Sequence, residues 1–303
     1  MRNKIAFTKM VASGNDFVIV EIKSQKSKVK KLNNLAREIC NRKYGVGADG
    51  LLILEKTKRA DVRMRIFNPD GSEAQMCGNG VRCAALYSAR NQIKIETKAG
   101  IIEAGVAKDK AEVRVKMTRP KNIKLDLPIK VSGRGLKVNF INTGVPHTVI
   151  FVEGIDRVNV VDIGRQVRFH KKFKPEGTNV DFVQIIDDNN IRLRTYERGV
   201  EDETLACGTG TVAAALISAI QLSRNFSGPG RALCRINPAP SCPEPALLWR
   251  RGGVNVLTKS AEVLKVEFNK LKGEFKDIWL EGQAKIVYEG IYNLCNNKEE
   301  FNV

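Results

Sequence analysis

Apolar and polar positions alternate along most of this chain, and a period of two predicts strands rather than helices. Residues 5–20 read as two strands around a turn: Ser13-Gly14-Asn15-Asp16 breaks the apolar run and Phe17-Val18-Ile19-Val20 resumes it. Leu32, Leu35, Ala36 and Ile39 instead recur at helical spacing and predict a helix over 32–40. Gly45-Val46-Gly47-Ala48-Asp49-Gly50 fits the dinucleotide pattern G-x-G-x-x-G, but the apolar run at 51–54 that follows is strand-like, so the segment reads as a turn. A strand at 62–66 leads into the turn Asn68-Pro69-Asp70-Gly71. Short strands follow at 93–97, 100–107 and 111–117, and Arg119-Pro120 closes a first half. The second half predicts strands at 136–142 and 148–152, a short helix at 162–169 and a strand at 191–196. It then predicts a hairpin from 254–257 and 262–268, and a last strand at 279–288.

Two stretches break the alternation in the same way. Glu73-Ala-Gln-Met-Cys77-Gly78-Asn79-Gly80-Val-Arg-Cys83-Ala-Ala-Leu86 is matched by Glu203-Thr-Leu-Ala-Cys207-Gly208-Thr209-Gly210-Thr-Val-Ala-Ala-Ala-Leu216. Both contain Cys-Gly-x-Gly-x-x-x-Ala-Ala-Leu, with small residues opening an alanine-rich, helix-favouring run. A cysteine there meets the unpaired N–H groups and the positive end of the helix dipole, an environment that lowers a thiol's pKa. Gly177-Thr178-Asn179-Val180-Asp181-Phe182-Val183 also echoes Ser13-Gly14-Asn15-Asp16-Phe17-Val18. The halves therefore read as an internal duplication, with two thiols expected to meet in one cleft.

The 303 residues suit two domains, and 43% hydrophobic with 28% charged residues is ordinary for a globular protein. The net charge of +18 raises the question of a nucleic-acid partner. The positive residues are spread out, however, with one modest cluster at Lys23, Lys26, Lys28, Lys30 and Lys31 and no aromatic-plus-basic RNA motif, so no nucleic-acid partner is expected. The N-terminus lacks the apolar core of a signal peptide, and no run approaches the ~18 apolar residues of a membrane span. Cytoplasmic residence without membrane attachment is the expectation. Seven cysteines, an odd number without a dense framework, argue against a disulfide scaffold. With no Cys-x-x-Cys and only His147 and His170, no metal site is expected.

Residues 227–253 do not fit the pattern. They hold half of the chain's ten prolines, together with Cys234, Cys242 and Trp249, and such proline density rules out a regular helix or central strand. The segment reads as an insertion or a reading-frame error and, if present in the protein, as a surface loop.

Met10-Val-Ala-Ser13-Gly14-Asn15-Asp16-Phe17, Phe67-Asn68-Pro69-Asp70-Gly71, Met76-Cys77-Gly78-Asn79-Gly80-Val-Arg82-Cys83, Tyr196-Glu197-Arg198-Gly199 and Ala206-Cys207-Gly208-Thr209-Gly210-Thr211 together resemble the diaminopimelate epimerase family. The resemblance spans 5–222 and resumes over 254–288. It implies a cofactor-independent isomerase that interconverts LL- and meso-diaminopimelate for lysine and peptidoglycan synthesis, commonly as a homodimer. The fold it implies is α/β, more narrowly α+β: two pseudo-symmetric domains, each a curved, mostly antiparallel sheet around a central helix, with substrate in the cleft between them. The lobes would be 1–120 completed by 278–303, and 121–277.

The same resemblance makes Cys77 and Cys207 the acid and base, with His147 and Glu197 supporting proton transfer or the substrate amine. It makes Asn15, Asn68 and Asn179 substrate-binding amides, Glu197 and Arg198 substrate contacts, and Gly78, Asn79, Gly208 and Thr209 backbone donors to the reacting carboxylate. Read without it, each asparagine also suits a turn. His147 likewise suits a loop, Glu197 a turn carboxylate and Arg198 an exposed position. Cys40, Cys83 and Cys295 read as small core residues. Val145 stands where many members carry asparagine, and nearby Asn142 is a candidate replacement. The competing readings are another cofactor-independent enzyme of the same fold, either proline racemase-like or a Glu-based isomerase, a thiol redox protein using Cys77 and Cys207, and a basic nucleic-acid binder.

Overall fold

The computed structural model describes residues 4–22, 32–107, 112–226, 250–271 and 274–294. These fall into two compact units, 1–115 with 282–303 and 116–281. The first unit holds β1 (Lys4–Ala12), β2 (Asn15–Ile22), α1 (Leu32–Ile39), β3 (Gly50–Glu55), β4 (Val62–Phe67), β5 (Glu73–Ala74), α2 (Gly78–Tyr87), β6 (Gln92–Thr97), β7 (Gly100–Val106) and β8 (Glu112–Lys116). The second holds β9 (Lys121–Val131), β10 (Arg134–Asn142), β11 (Pro146–Phe151), α3 (Val160–Arg168), β12 (Asn179–Ile185), β13 (Asn190–Glu197), β14 (Asp202–Thr204), α4 (Gly208–Phe226), β15 (Arg250–Leu257), β16 (Val263–Leu271) and β17 (Glu274–Gln283). β18 (Lys285–Asn293) returns to the first unit and pairs antiparallel with β1.

The duplication is complete at the level of pairing. β2–β3 and β11–β12 are parallel, as are β4–β6 and β13–β15, while the remaining matched pairs are antiparallel. β18 on β1 is matched by β9 on β10. One sequence echo is nevertheless misleading. Asn15 opens β2, whereas Asn179 opens β12, whose counterpart is β3, so the two asparagine motifs sit on non-equivalent strands.

In each unit the sheet has a helix on both of its faces, and the period of two decides which residue faces which helix. In the second unit, Val149, Val183, Ile191 and Leu193 pack with Val212–Ile217 of α4. Their neighbours Ile150, Val180, Phe182 and Tyr196 pack with Val160 and Val167 of α3. In the first unit, Val18, Val20, Leu51, Ile53 and Phe67 pack with Leu35, Ala36 and Ile39 of α1. α2 is enclosed by strands, and close approach needs small residues: a Cβ on Gly80 would lie 3.2 Å from Leu52 and 3.6 Å from Ile66. Cys40 and Cys83 are buried, as small core residues would be.

Several elements differ from expectation. Residues 121–131 form a strand that the sequence reading missed, because Pro128 and three lysines mask a regular alternation of Ile123, Leu125, Leu127, Ile129 and Val131. The single strand expected at 279–288 is two, β17 and β18, parted at Ala284. α3 begins at Val160, two residues early, because the Asn159 side chain caps it by accepting from Asp162 N at 3.2 Å. Of the proline-rich segment, 227–249 lie outside the described residues, as do the lysines at 23–31 and the core assignment of Cys295, while 250–253 already belong to β15. No described helix is long and apolar enough to cross a membrane.

Candidate active site

Strand alternation puts His147 on the face of Val149, Asn179 and Asp181 on the face of Val183, and Thr195 and Glu197 on the face of Leu193. All five thus point to the side covered by α4, and their strands lie in register, with His147 opposite Asn179 and Asp181 opposite Thr195. The polar cluster gathers where α4 starts. Cys207 caps that helix, its carbonyl accepting from Thr211 N at 2.8 Å and from Thr211 Oγ1 at 2.9 Å.

From Cys207 a line of polar atoms runs inward. Its Sγ lies 3.5 Å from Thr209 Oγ1, which lies 2.9 Å from His147 Nε2. His147 Nδ1 is 2.7 Å from Asp181 Oδ2, and Asp181 Oδ1 accepts from Thr195 Oγ1 at 2.8 Å. His147 and Asp181 are fully buried. Asn179 Nδ2 donates to Pro146 O at 3.0 Å and lies 3.5 Å from His147 Nε2, while its Oδ1 accepts from Arg198 N at 2.8 Å. Arg198 extends its guanidinium to Glu176 O at 3.0 Å. Asn142 Oδ1 accepts from Gly144 N and so holds its own hairpin turn.

Burial dominates the electrostatics here. Cys207 is 8% exposed, and burial pushes its thiol well above its ordinary pKa. The charges of Glu197 and Asp181 add to that shift, opposed by the Thr209 hydroxyl and Gly210 N–H. This corrects the expectation that a place at a helix N-terminus would lower the pKa: desolvation and two carboxylates outweigh the Thr209 and Gly210 hydrogen bonds there. Burial also raises the Glu197 carboxyl.

In the first unit Cys77 caps α2 with extended backbone, φ −142° and ψ 121°, and its carbonyl accepts from Val81 N at 2.9 Å. The thiol is partly exposed. Beside it, Asn79 Nδ2 donates to Asn15 Oδ1 at 2.6 Å and Asn79 Oδ1 accepts from the buried Arg82 at 2.8 Å. Arg82 also donates to Ser13 Oγ at 2.6 Å. Asn15 Nδ2 donates to Asp49 Oδ2 at 3.2 Å. Asp49 and Asp16 share Arg42, and Lys9 Nζ sits 2.8 Å from Asp16. Burial opposes ionisation of Asp16, but Arg42 and Lys9 hold its carboxyl well below the usual range. Asn68 lies on an exposed turn, its amide donating to Ser72 Oγ at 2.9 Å. Gly78 has open space where a Cβ would stand, and Gly208 faces Leu280 at 3.3 Å.

The structure thus gathers Cys207, Thr209, His147, Asn179, Glu197 and Arg198 in one unit, and Cys77, Asn79 and Asn15 in the other. Sequence reasoning missed Asp181, Arg82 and Asp49. For Asp181 the available signal was a shared strand face with Asn179.

The family model for diaminopimelate epimerase matches residues 7–123 and 139–225. The chain belongs to the diaminopimelate epimerase family. The diaminopimelate epimerase of Aquifex aeolicus is 39% identical over 297 residues, covering 94% of this chain and 96% of the relative. That of Methanocella arvoryzae is 43% identical over 234 residues, covering 71% and 82%. Among solved structures, a PhzF-family phenazine biosynthesis protein from Bacillus anthracis matches with a TM-score of 0.66 at 16% identity, over 96% of this chain and 100% of that one. A hydroxyproline epimerase from Agrobacterium vitis matches with a TM-score of 0.62 at 16% identity, over 97% and 94%. These likenesses establish that the family member described here has the same α+β fold as both.

Proposed function

We propose that this chain interconverts LL- and meso-diaminopimelate without a cofactor, with Cys77 and Cys207 as the acid–base pair. The observation that carries the reading is the repeated cysteine cap: in a member of this family, each unit presents one thiol at the start of its central helix. Inverting an α-carbon requires a base to remove the proton from one face and an acid to return one to the other. One cysteine as thiolate and one as thiol meet that need in either direction. The raised pKa of Cys207 makes it the protonated partner at rest, and hence the acid in the direction in which Cys77 takes the substrate proton.

His147 and Glu197 support proton transfer at Cys207. Asn15, Asn68, Asn179 and Arg198 bind the amino and carboxylate groups, because amides donate and accept while a guanidinium clamps carboxylate. The N–H groups of Gly78, Asn79, Gly208 and Thr209 at the helix starts receive the reacting carboxylate. The working form is a cytoplasmic homodimer that takes a small-molecule substrate and no nucleic acid, and light scattering on the purified protein reads its mass.

The deciding experiment follows α-proton exchange of LL-diaminopimelate in deuterated water. The wild type incorporates deuterium as meso product accumulates, and Cys77→Ala and Cys207→Ala each abolish conversion. Full conversion by Cys207→Ala removes the two-thiol account. Turnover of proline in place of diaminopimelate favours the racemase-like alternative.

A further inference from the structure

His147 is held by partners that leave one choice for its ring proton. Asp181 Oδ2, 2.7 Å from Nδ1, is an acceptor as carboxylate, and its other oxygen is occupied by the Thr195 hydroxyl. On the opposite side, Nε2 faces Thr209 Oγ1 at 2.9 Å and Asn179 Nδ2 at 3.5 Å. The orientation of the Asn179 amide is over-determined: its oxygen must take the Arg198 N–H, and its nitrogen must give to Pro146 O. A donor therefore faces Nε2. Both sides agree that the hydrogen sits on Nδ1 and that Nε2 accepts.

We propose that Asp181 is a positioning residue that fixes this tautomer, and that the Thr209 hydroxyl carries the proton between Cys207 and His147. The Cys207 S–H proton passes to Thr209 Oγ1 as the Thr209 O–H proton passes to His147 Nε2. Cys207 becomes thiolate and His147 an imidazolium with both nitrogens protonated. Nδ1–H then points at the Asp181 carboxylate, and Nε2–H at Thr209, whose new O–H faces the thiolate. The reverse shift restores the thiol. Gly210 keeps the line close-packed, since a Cβ there would stand 2.5 Å from Asp181 Oδ1 and 3.3 Å from both His147 Cε1 and Cys207 Cβ. This inference rests on the epimerase reading for its catalytic meaning, but the tautomer can be read without any substrate.

The chain contains only two histidines, so nitrogen NMR of the full-length protein labelled with 15N-histidine resolves both rings. His170 supplies the contrast: its Nδ1 accepts from Lys172 N at 3.2 Å, so its neutral ring carries hydrogen on Nε2. The wild type is expected to show His147 protonated on Nδ1 and His170 on Nε2, with His170→Gln assigning the signals. Asp181→Asn offers Nδ1 an N–H and is expected to move the His147 hydrogen to Nε2, lowering kcat by about 10²-fold or more with little change in KM. Thr209→Val is expected to lower kcat by a similar factor, about 10²-fold, and Thr209→Ser, which keeps the hydroxyl, to restore most of it. A wild-type His147 protonated on Nε2 overturns the proposal, and so does Thr209→Val with undiminished kcat. Absence of α-proton exchange in the wild type instead overturns the epimerase reading and leaves the tautomer result standing.

Discussion

Glu73 and Glu203 occupy the same place in their respective units, each four residues ahead of the cysteine that caps the central helix. Arg65 holds Glu73 with two nitrogens at 2.8 and 3.1 Å, and Arg194 holds Glu203 at 2.7 and 2.9 Å. A lysine completes each cluster, Lys98 at 3.1 Å and Lys259 at 2.8 Å. The forked arginine grip is directional and fastens β5 and β14, hence the chain entering each cysteine, to the neighbouring strand.

Acid should release the first of these clasps. The Arg65 hydrogen bond, opposed by burial and aided by Lys98, lowers the Glu73 carboxyl to about 2. A carboxyl depressed in the folded state stabilises above its unfolded value and loses that stability as pH falls toward the folded one. Glu73→Gln is therefore expected to have a lower Tm at neutral pH and a shallower decline of Tm between pH 5 and about 2. Thermal unfolding across that range checks it, and equal slopes for variant and wild type contradict it.

The alkaline limb should report Cys40. Burial, partly offset by Lys9, raises this thiol to about 12. A thiol held protonated in the folded state stabilises below its unfolded pKa and loses that contribution as pH rises through the folded value. Wild-type stability should thus fall from about pH 9 toward about 12 more steeply than that of Cys40→Ala. Parallel urea titrations at successive pH values measure the difference in slope.

Two helix-start glycines should respond differently to alanine. At Gly210 the new methyl would lie 2.5 Å from Asp181 Oδ1, inside the Cys207–His147 cluster, whereas at Gly78 nothing lies within 4 Å. Gly210→Ala is expected to lower Tm and to cut kcat by about 10²-fold through displaced proton-transfer groups. Gly78→Ala is expected to leave Tm unchanged. Calorimetry and deuterium exchange on both variants make the comparison.

Arg82 is expected to act on substrate affinity. It can only donate, so it fixes the Asn79 oxygen toward itself, which turns Asn79 Nδ2 toward Asn15 and Asn15 Nδ2 toward Asp49. One nitrogen, Nη2, reaches both Ser13 and Asn79, so Arg82→Lys keeps a positive charge but its shorter side chain does not carry a donor to that point. KM is expected to rise about tenfold, the equivalent of about 1.4 kcal/mol, with a smaller change in kcat. Steady-state kinetics decide, and an unchanged KM contradicts the orienting role.

Much of this was legible in the chain because it depends on local periodicity. Both cysteine caps follow from small residues ahead of an alanine run, and most strands from alternation. What was not legible depends on partners distant in sequence. Nothing adjacent to Asp181 announces that it meets His147, since the contact is created by pairing β11 with β12. The raised thiol of Cys207 is hidden for the same reason: a helix start is local, but the two carboxylates that add to the effect of burial stand on β12 and β13. The strand at 121–131 was obscured by its own chemistry, because Pro128 and the charged residues Lys124, Asp126 and Lys130 suggest a linker unless the apolar half of the pattern is counted alone.

The pairing of β18 with β1 brings together segments far apart in sequence, Lys4 lying opposite Asn293. During synthesis the first unit therefore waits for its last strand until residue 293 has left the ribosome. The second unit, drawn from one uninterrupted stretch, has all its strands available earlier. The half that is translated first is thus the half completed last, and a chain cut short before residue 285 would leave one flank of β1 uncovered as an adhesive edge.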